Sequence, residues 1–587
     1  MLKLDREMKK TKRVIITIFS LLLLIPSFLI LTVSYLSAIF FINRYTMKRR
    51  RYFIRKRIFY CYYKIITNNN NNSSSSNNNM IFGQRLGIII CDNKYRINTL
   101  VTYVFSMLSL SRVNPTTGTF ALAFILGLSL TFISSSYYHG EEYSPFSPAY
   151  AVRAQTSLEG PIINDPNLVV ETVYKGLKSP TAMAFLGPAD ILVLEKGQGT
   201  VQRITKGEIL QEPLLQVDVN SKDERGLLGI AIATTEDRKE EITTTNTTTI
   251  PTDVFLFFTE AGQSKSDTPA GNRVYKYELV EGNDGNTIKL VNPTLLLDLP
   301  AGPDDSHVGG MLDIGPDNNL YLSLGDQRPT AYNKMDYPDS QTKAQNYLEG
   351  IEPDGRAGIL RITQDGGVVG GEGIFGNEHP LNKYYAYGVK NSFGFDFDPV
   401  TGKLWDTENG PTFGDEINLV ELGFNSGWAS IQGFWTLDDE HKKVDEVIPS
   451  PTINAEDYGL IDFGGKGQYS SPEFVWDVAP TALKFLNSDK IGKQYENDIF
   501  VGDIKNGNLY YFKLDEQRTG LQLDGPLADK IGSKDEIQQV VFGHGFGGIT
   551  DIEVGPDGYL YILTYSKEDG TIYRIVPAEN SKDSFRR

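Results

Sequence analysis

A short phrase recurs along residues 184–565 and constrains the fold of this chain more than any other feature. In each copy, apolar residues flank a tight turn rich in Pro, Asp, Asn and Gly, and the segment after the turn reads as a strand. The six copies are AFLGPADILVLEKG, PTDVFLFFTEAG, DIGPDNNLYLSLGD, DFDPVTGKLWDTENG, YENDIFVGD and EVGPDGYLYILTY. Their turns fall near residues 188, 252, 316, 398, 497 and 556, which is the pattern of a repeat array.

The spacing of the copies predicts the architecture. Successive turns are about 60 to 100 residues apart, which leaves room for four strands in each unit. Long stretches with helical periodicity are absent from residues 162–577, so an all-β fold is expected there. We therefore predict a six-bladed β-propeller, with inserted loops around residues 332–373 and 433–469.

Charge and cysteine content exclude several classes of protein. The 587 residues carry 57 Lys and Arg against 73 Asp and Glu, a net charge of −16, which argues against nucleic acid as the main partner. The two cysteines, Cys61 and Cys91, both lie before the repeats, so neither a disulfide framework nor thiol chemistry is expected in the propeller. Five histidines in the whole chain make a His-rich metal centre a poor hypothesis.

The N-terminal region has a different character. An uncharged apolar run covers residues 14–42 and is long enough to span a bilayer. A basic segment at 44–57, an Asn/Ser tract at 68–79 that cannot bury a core, and a second apolar run at 118–138 follow. We predict a membrane-anchor region with two apolar helices over residues 1–140 and a linker over 141–160. The propeller would then occupy residues 161–577 and a polar tail residues 578–587.

The basic segment suggests a topology. By the positive-inside rule it stays in the cytoplasm, the second run crosses outward, and the propeller lies outside. The basic flank at residues 9–13 argues more weakly for the reverse. Alternatively, Met107 is the true start and opens a signal peptide or signal anchor, with Ala149-Tyr150-Ala151 as a cleavage site. Either run could instead be a buried globular helix.

His307 and Asp326 are the first candidates for chemistry. His307 precedes two glycines and a strand, and Asp326 ends the next strand of the same unit. A carboxylate beside an imidazole fixes its tautomer and raises its basicity, as a general base requires. The alternative is a capping histidine and a turn aspartate.

Acidic residues cluster in the segment TENGPTFGDEINLVELGFNSGW, where Glu408, Asp415 and Glu416 surround a Gly410-Pro411 turn. Carboxylates and free turn carbonyls are hard oxygen ligands that suit calcium (Ca²⁺), although the spacing is not that of an EF-hand. A solvated acidic turn is the alternative.

Lysines stand at two matching strand ends. Lys390 and Asn391 come just before one strand, and Lys505 comes just after another. Lysines that converge on the mouth of a propeller would bind an anionic ligand, whereas lysines at loop tips are more often simply solvated.

These segments resemble the glucose/sorbosone dehydrogenase family, the soluble-type quinoprotein aldose dehydrogenases. The resemblance covers about residues 169–576 and includes ERGLLGIAI, HVGG with GDQ, YGVKNSFGFDFDPVTGKLWDTENGPTFGDEINLV and GFNSGW. It implies a six-bladed propeller that binds pyrroloquinoline quinone (PQQ) and calcium at its mouth and oxidises the C1 hydroxyl of an aldose to the lactone.

The resemblance also implies roles for individual residues. His307 falls on the catalytic base and Asp326 on its partner, while Lys390, Asn391 and Lys505 fall on cofactor-binding positions. The metal positions would be the carbonyls of Gly410 and Pro411, with Asp415 as an acidic pocket residue. The sequence departs from the family pattern in three places: Lys390 replaces an arginine, Val308 replaces the usual polar residue after the base, and Gly548-Ile549-Thr550 stands where related enzymes place two arginines.

The leading hypothesis is therefore a PQQ- and calcium-dependent aldose dehydrogenase, anchored to a membrane outside the cytoplasm, with an external electron acceptor and no nucleic-acid partner. A non-catalytic propeller that binds sugars or proteins and a calcium-dependent sugar lactonase are the alternatives, since one fold supports many functions.

Overall fold

The computed structural model describes residues 160–234, 252–262, 268–281, 288–302, 304–327, 341–370, 373–438, 442–446 and 455–579. Within these ranges the chain has no α-helix, which confirms the all-β prediction. Short 3-10 helices occur at Lys343–Gln345, Leu381–Lys383, Ala455–Tyr458, Lys493–Tyr495, Gly525–Asp529 and Glu536–Val540.

The described part of the chain contains no helix with the length and apolarity needed to cross a bilayer. The two apolar runs, the basic segment and the Asn/Ser tract all lie in residues 1–159, outside the described residues. The membrane anchor and the domain boundaries placed there stay predictions.

The first three sheets follow one another along the chain after two leading strands, β1 (Ile162–Ile163) and β2 (Leu168–Leu177). The first sheet contains β3 (Pro180–Gly187), β4 (Asp190–Glu195), β5 (Thr200–Thr205) and β6 (Glu208–Ile209), and β7 (Leu215–Gln216) also pairs with β5. The second contains β8 (Leu227–Thr234), β9 (Thr252–Ala261), β10 (Pro269–Glu281) and β11 (Ile288–Leu299). The third contains β12 (Leu312–Ile314), β13 (Leu320–Leu324), β14 (Gly358–Ile362) and β15 (Tyr384–Tyr387).

The fourth sheet carries an insertion before its last strand. Its strands are β16 (Ser392–Phe397), β17 (Leu404–Glu408), β18 (Asp415–Val420) and, after the insertion, β24 (Phe474–Trp476). The insertion adds β19 (Phe424–Asn425) and β23 (Gln468–Tyr469) to the third sheet and forms a small sheet of β20 (Ile431–Gln432), β21 (Trp435–Leu437) and β22 (Lys443–Glu446). It coincides with the second of the two loops that the repeat spacing predicts.

The last two sheets recruit the leading strands. The fifth contains β25 (Pro480–Phe485), β26 (Ile499–Asp503), β27 (Asn508–Phe512), β28 (Val541–His544) and β1. The sixth contains β29 (Gly548–Val554), β30 (Leu560–Tyr565), β31 (Gly570–Pro577) and β2.

These six sheets are the blades of a closed propeller. The inner strands of each sheet pack against the first strand of the next, and β29 of the sixth packs against β3 of the first. Five of the six recurring phrases fall on the turn between the first and second strands of a blade, and the sixth, at Pro251, leads into the second strand of blade 2. The local phrase thus marks one blade per copy, as the repeat spacing predicts.

The core lies between neighbouring blades. All five residues of β13 are buried, because a second strand has a packed blade on each of its two faces. Leu228 and Phe257 of blade 2 pack with Leu322 of blade 3 in one such layer. Two tryptophans, Trp405 and Trp476, fill another layer between blades 4 and 5.

The ring is closed by the pairing of β2 with β31. The two strands run antiparallel, with Val169 opposite Val576. Beside them the Arg574 guanidinium donates to a carboxylate oxygen of Glu171 at 2.7 Å. Because β31 would otherwise be an exposed edge, this pairing removes a strand edge that could aggregate.

Charged residues on four first strands meet in the central channel. The Lys484 ammonium lies 3.0 Å from Glu553 and 3.5 Å from Asp396, and it also interacts with Asp313. Burial raises the pKa of Asp313 to about 6 and that of Glu553 to about 8, although the Lys484 charge lowers both. One lysine therefore interacts with two carboxyl groups, those of Asp313 and Glu553, whose ionised forms are disfavoured by burial.

We expect the variant Lys484→Met to lose more stability at pH 8 than at pH 5. Carboxyls whose pKa is raised by folding contribute fully to stability below about pH 4, and the contribution is lost as the pH rises through 6 to 8. Without the ammonium, the ionised carboxylates at pH 8 would be uncompensated, at a cost of about 3 kcal/mol. Denaturant unfolding at the two pH values measures the difference.

Lys530→Met is the matched control. Lys530 is partly exposed and pairs with Glu473 at 2.8 Å, outside the channel. Its replacement should cost little, and equally at both pH values. Equal losses at pH 5 and pH 8 for Lys484→Met would contradict the expectation.

Candidate active site

The candidate residues lie at one end of the propeller. In antiparallel blades, the start of each first strand and the end of each second strand lie at the same end. His307 precedes β12 and Lys390 precedes β16, whereas Asp326, Gly410 and Lys505 follow β13, β17 and β26. The topology thus brings these residues, far apart in sequence, to one mouth.

His307 and Asp326 form a buried pair. Nδ1 of His307 lies 2.6 Å from Oδ1 of Asp326, and both side chains are almost fully inaccessible. His307 adopts a left-handed φ of 55°, which is costly for a residue other than glycine and is typical of functional sites. Since a carboxylate accepts hydrogen bonds, the proton sits on Nδ1 and the lone pair on Nε2.

The Asp326 carboxylate is kept ionised by its surroundings. Burial alone would raise its pKa, but His307, Lys390 and the Trp428 hydrogen bond outweigh this effect and lower the pKa. The indole Nε1 of Trp428 donates to Oδ2 of Asp326 at 2.7 Å. Trp428 belongs to the GFNSGW segment, whose sequence gives no sign of this role.

Gly325 allows the two loops of the site to cross. A Cβ at this position would lie 2.3 Å from the carbonyl oxygen of His307 and 2.8 Å from that of Lys390. A side chain there would therefore push the His307 and Lys390 loops apart. The glycines after His307 are likewise packed against protein, Gly309 against Ser323 and Gly310 against Leu228, and not against open space for a flat ligand.

Lys390 is buried beside the histidine and is not a solvated loop tip. Its ammonium lies 3.0 Å from Nε2 of His307, and its backbone N–H donates to Oε1 of Glu408 at 2.7 Å. The neighbouring Asn391 accepts the backbone N–H of Gly309 at 3.1 Å. Both residues thus shape the histidine loop, and the Lys390 charge lies at the nitrogen that carries the lone pair.

Near the histidine loop, buried carboxyl groups lie around the hydroxyl of Ser426. The Ser426 hydroxyl donates to Glu408 at 2.6 Å and lies 3.2 Å from Glu416. Burial raises the pKa of Glu416 and of Asp406 to about 7, and burial together with Glu416 raises that of Glu408 well above its usual range. In the described ranges, no group of three or more His, Cys, Asp or Glu residues could hold a metal ion.

The Gly410-Pro411 turn is held open by Asp415. One carboxylate oxygen of Asp415 accepts the N–H of Gly410 at 2.9 Å, and the other accepts those of Val478 and Ala479 at 2.8 and 2.7 Å. Asp415 therefore shapes the turn and already has three donors. Among the described residues, none donates a hydrogen bond to the carbonyl oxygens of Gly410 or Pro411, so both can accept a cation.

The mouth also contains Lys505, which is exposed just after β26. At the start of β29, Ile549 is fully buried and the Thr550 hydroxyl donates to the carbonyl oxygen of Pro180 at 3.3 Å. Lys505 is thus an exposed cation at the mouth, whereas the Lys390 ammonium is buried against His307. In charge and ligand type, the two lysines match an anionic cofactor, and the carbonyl oxygens of Gly410 and Pro411 match a hard cation.

Glu224, the first residue of the ERGLLGIAI segment, also lies at the mouth, although the sequence analysis did not name it as a site residue. It precedes β8, and its Oε2 accepts the backbone N–H of Val308 at 3.2 Å. Burial raises its pKa, while the charges of His307 and Lys390 lower it. Its other oxygen, Oε1, is buried and has no hydrogen-bond partner among the described residues.

The propeller with a His–Asp pair at its mouth agrees with the comparisons with known proteins. Residues 177–574 match the model of the glucose/sorbosone dehydrogenase family. The chain belongs to this family, as the sequence resemblance predicts.

Curated relatives and a solved structure extend the comparison. Aldose sugar dehydrogenase YliI of Escherichia coli is 24% identical over 70% of this chain and 92% of its own. Quinoprotein glucose dehydrogenase B of Acinetobacter calcoaceticus is 27% identical over 75% of this chain and 94% of its own. A crystal structure of a glucose dehydrogenase shares the fold with a TM-score of 0.50 and 21% identity, over 69% of this chain and 99% of that one.

We expect Trp428→Phe to destabilise the protein more than Trp405→Phe. Both indoles are buried, but Trp428 donates to the ionised Asp326, whereas Nε1 of Trp405 has no partner among the described residues. A hydrogen bond to a charged group contributes about 1.5–3 kcal/mol, so the difference in unfolding free energy should be of that size. Urea unfolding of the two variants measures it, and equal losses would rule out a structural role for this bond.

Proposed function

We propose that this protein oxidises the C1 hydroxyl of an aldose to the lactone, with PQQ and a calcium ion bound at the propeller mouth. The observation that carries the proposal is the buried His307–Asp326 pair, with Nδ1 and Oδ1 2.6 Å apart, at the mouth that also contains the open turn carbonyls. Membership of a dehydrogenase family and the name of the quinoprotein relative support it.

Individual residues have distinct parts in this proposal. The carbonyl oxygens of Gly410 and Pro411 would hold the calcium ion, and Lys390 and Lys505 would face carboxylates of PQQ. When bound, PQQ would supply the acceptor for the hydride of C1, and an external acceptor would take up the electrons. Asn391 and Asp415 keep the histidine loop and the turn in place.

The chain's own residues prepare the hydroxyl for deprotonation. Asp326 fixes the tautomer of His307, so that Nε2 of His307 would take the proton of the C1 hydroxyl; the Lys390 ammonium lies 3.0 Å from this nitrogen. A basic nitrogen and an ammonium are thereby kept together in a buried site, where an alkoxide would be stabilised strongly.

Titration of the purified protein with PQQ and Ca²⁺ tests the function directly. We expect saturable binding of PQQ that depends on calcium, and dye-linked oxidation of an aldose. Tight sugar binding without any oxidation would favour a non-catalytic propeller, and hydrolysis of a sugar lactone without PQQ would favour a lactonase.

We expect His307→Asn to lower kcat by about 10²–10⁴-fold, the usual contribution of a positioned acid–base group. Asparagine keeps size and polarity but has no basic nitrogen. Calcium affinity should hardly change, because the proposed ligands are carbonyls of another loop. Asp326→Asn should act in the same direction but less strongly. A loss of stability with unchanged kcat would contradict the catalytic role of His307.

We also propose that the apolar runs at residues 14–42 and 118–138 anchor the protein in a membrane, with the propeller outside the cytoplasm. The basic segment at residues 44–57 supports this topology. Protease added to intact cells should cut or release the propeller. Full protection until the cells are lysed would refute the proposed location.

A further inference from the structure

The Asp326 carboxylate is held at both of its oxygens. Oδ1 lies 2.6 Å from Nδ1 of His307. On the other side, Oδ2 accepts the indole N–H of Trp428 at 2.7 Å and a side-chain N–H of Gln345 at 3.4 Å. A carboxylate with donors on both oxygens cannot rotate without breaking a hydrogen bond. The direction in which Oδ1 points is therefore set partly from the far side of the carboxylate, by Trp428.

The indole group also favours the ionised form of Asp326. An indole N–H can donate a hydrogen bond but cannot accept one, so it disfavours a proton on Oδ2. Burial raises the pKa of Asp326, and the charges of His307 and Lys390 together with the Trp428 hydrogen bond lower it. The proposed function assigns Lys390 to a carboxylate of PQQ, whereas the Trp428 ring is only 2% exposed and cannot turn toward a ligand. Trp428 thus holds Asp326 whether or not Lys390 contacts the cofactor.

The segment that carries Trp428 is anchored to blade 3. The backbone N–H of Trp428 donates to the carbonyl oxygen of Gly388 at 2.9 Å, and its own carbonyl oxygen accepts the side-chain amide of Asn346 at 2.7 Å. Asn346 and Asn425 also exchange two side-chain hydrogen bonds, at 3.0 and 2.9 Å. An indole on such a fixed backbone is preorganised, as a group that supports a catalytic residue must be.

We propose that Trp428 is a positioning residue for the base. Its indole N–H aims the Asp326 carboxylate so that Oδ1 stays on the Nδ1–H of His307, and the lone pair stays on Nε2. The inference rests on the proposed function, in which Nε2 takes the proton of the C1 hydroxyl. Trp428 acts only through Asp326, because its buried ring has almost no surface to offer a sugar. The insertion of blade 4 thereby contributes to the active site from outside the ring of blades.

The first test observes the hydrogen bond between His307 and Asp326 by NMR, in the full-length protein without PQQ. The chain has five histidines, so isotope-labelled histidine gives few ring signals, and His307→Asn assigns those of His307. The Nδ1–H proton of the wild type should lie far downfield and exchange slowly with water. In Trp428→Phe it should move upfield and exchange faster, because the carboxylate is free to rotate.

The opposite outcome has a distinct signature. If Trp428 only satisfies a buried oxygen, its removal leaves Asp326 in place and more basic, and the Nδ1–H signal stays where it is or moves further downfield. That result, or a wild type without the signal, would overturn the proposal.

Two further variants separate the hydrogen bond from packing. A benzothienyl analogue of tryptophan at position 428 keeps the shape of the ring but has no N–H, and it should reproduce the Trp428→Phe shift. It also decides the question if Trp428→Phe does not fold. Trp405→Phe is the matched control, since Trp405 is fully buried and its Nε1 has no hydrogen-bond partner among the described residues. It should leave the His307 signal unchanged.

The second test measures turnover of the enzyme loaded with PQQ and calcium. Loss of the indole N–H should lower kcat by about 10–100-fold, the usual effect of a group that orients a functional histidine. KM for the aldose should hardly change, because Trp428 does not touch the sugar. An unchanged kcat in the benzothienyl variant, or a loss confined to KM, would contradict the role of Trp428.

The two tests keep the possible failures apart. A wild-type protein that oxidises no aldose refutes the proposed function. The Nδ1–H signal still decides whether Trp428 positions Asp326, since this measurement needs neither cofactor nor turnover.

Discussion

A buried charge must have partners, and this requirement organises the mouth of the propeller. The Lys390 ammonium and the Asp326 carboxylate are both almost fully buried, with His307 between them. An unpaired ion at this depth would cost several kcal/mol, so the neighbouring elements are arranged to satisfy it. Trp428 reaches Asp326 from the insertion of blade 4, and Glu408 fixes the Lys390 backbone from the end of β17.

The fold could be predicted from sequence because its signal is local. Each blade contains one copy of the recurring turn between two apolar strands. These copies can be counted in the sequence without knowledge of any long-range contact. The pairing of His307 with Asp326 could also be predicted from the sequence, for a similar reason. Its members flank one strand pair of blade 3, and the family resemblance pointed to both.

Other parts of the site could not be predicted because their contacts are distant in sequence. The Trp428 indole meets Asp326 across 102 residues, and Glu224 meets Val308 across 84. The burial of Lys390 could not be predicted either, because the sequence around it is typical of a solvated polar loop. Asp415 was expected in the pocket as an acid, and only its three N–H donors reveal that it shapes the turn.

The strand pair that closes the ring has a consequence for how the protein is made. Glu171 of β2 and its partner Arg574 of β31 are 403 residues apart, so the first strand leaves the ribosome long before its mate. The last blade can form only after β31 has left the ribosome, and until then β2 lacks the strand with which it pairs. Until then the nascent chain exposes apolar surface and strand edges that can aggregate, and a chain that stops before β31 would lack the pair that closes the ring.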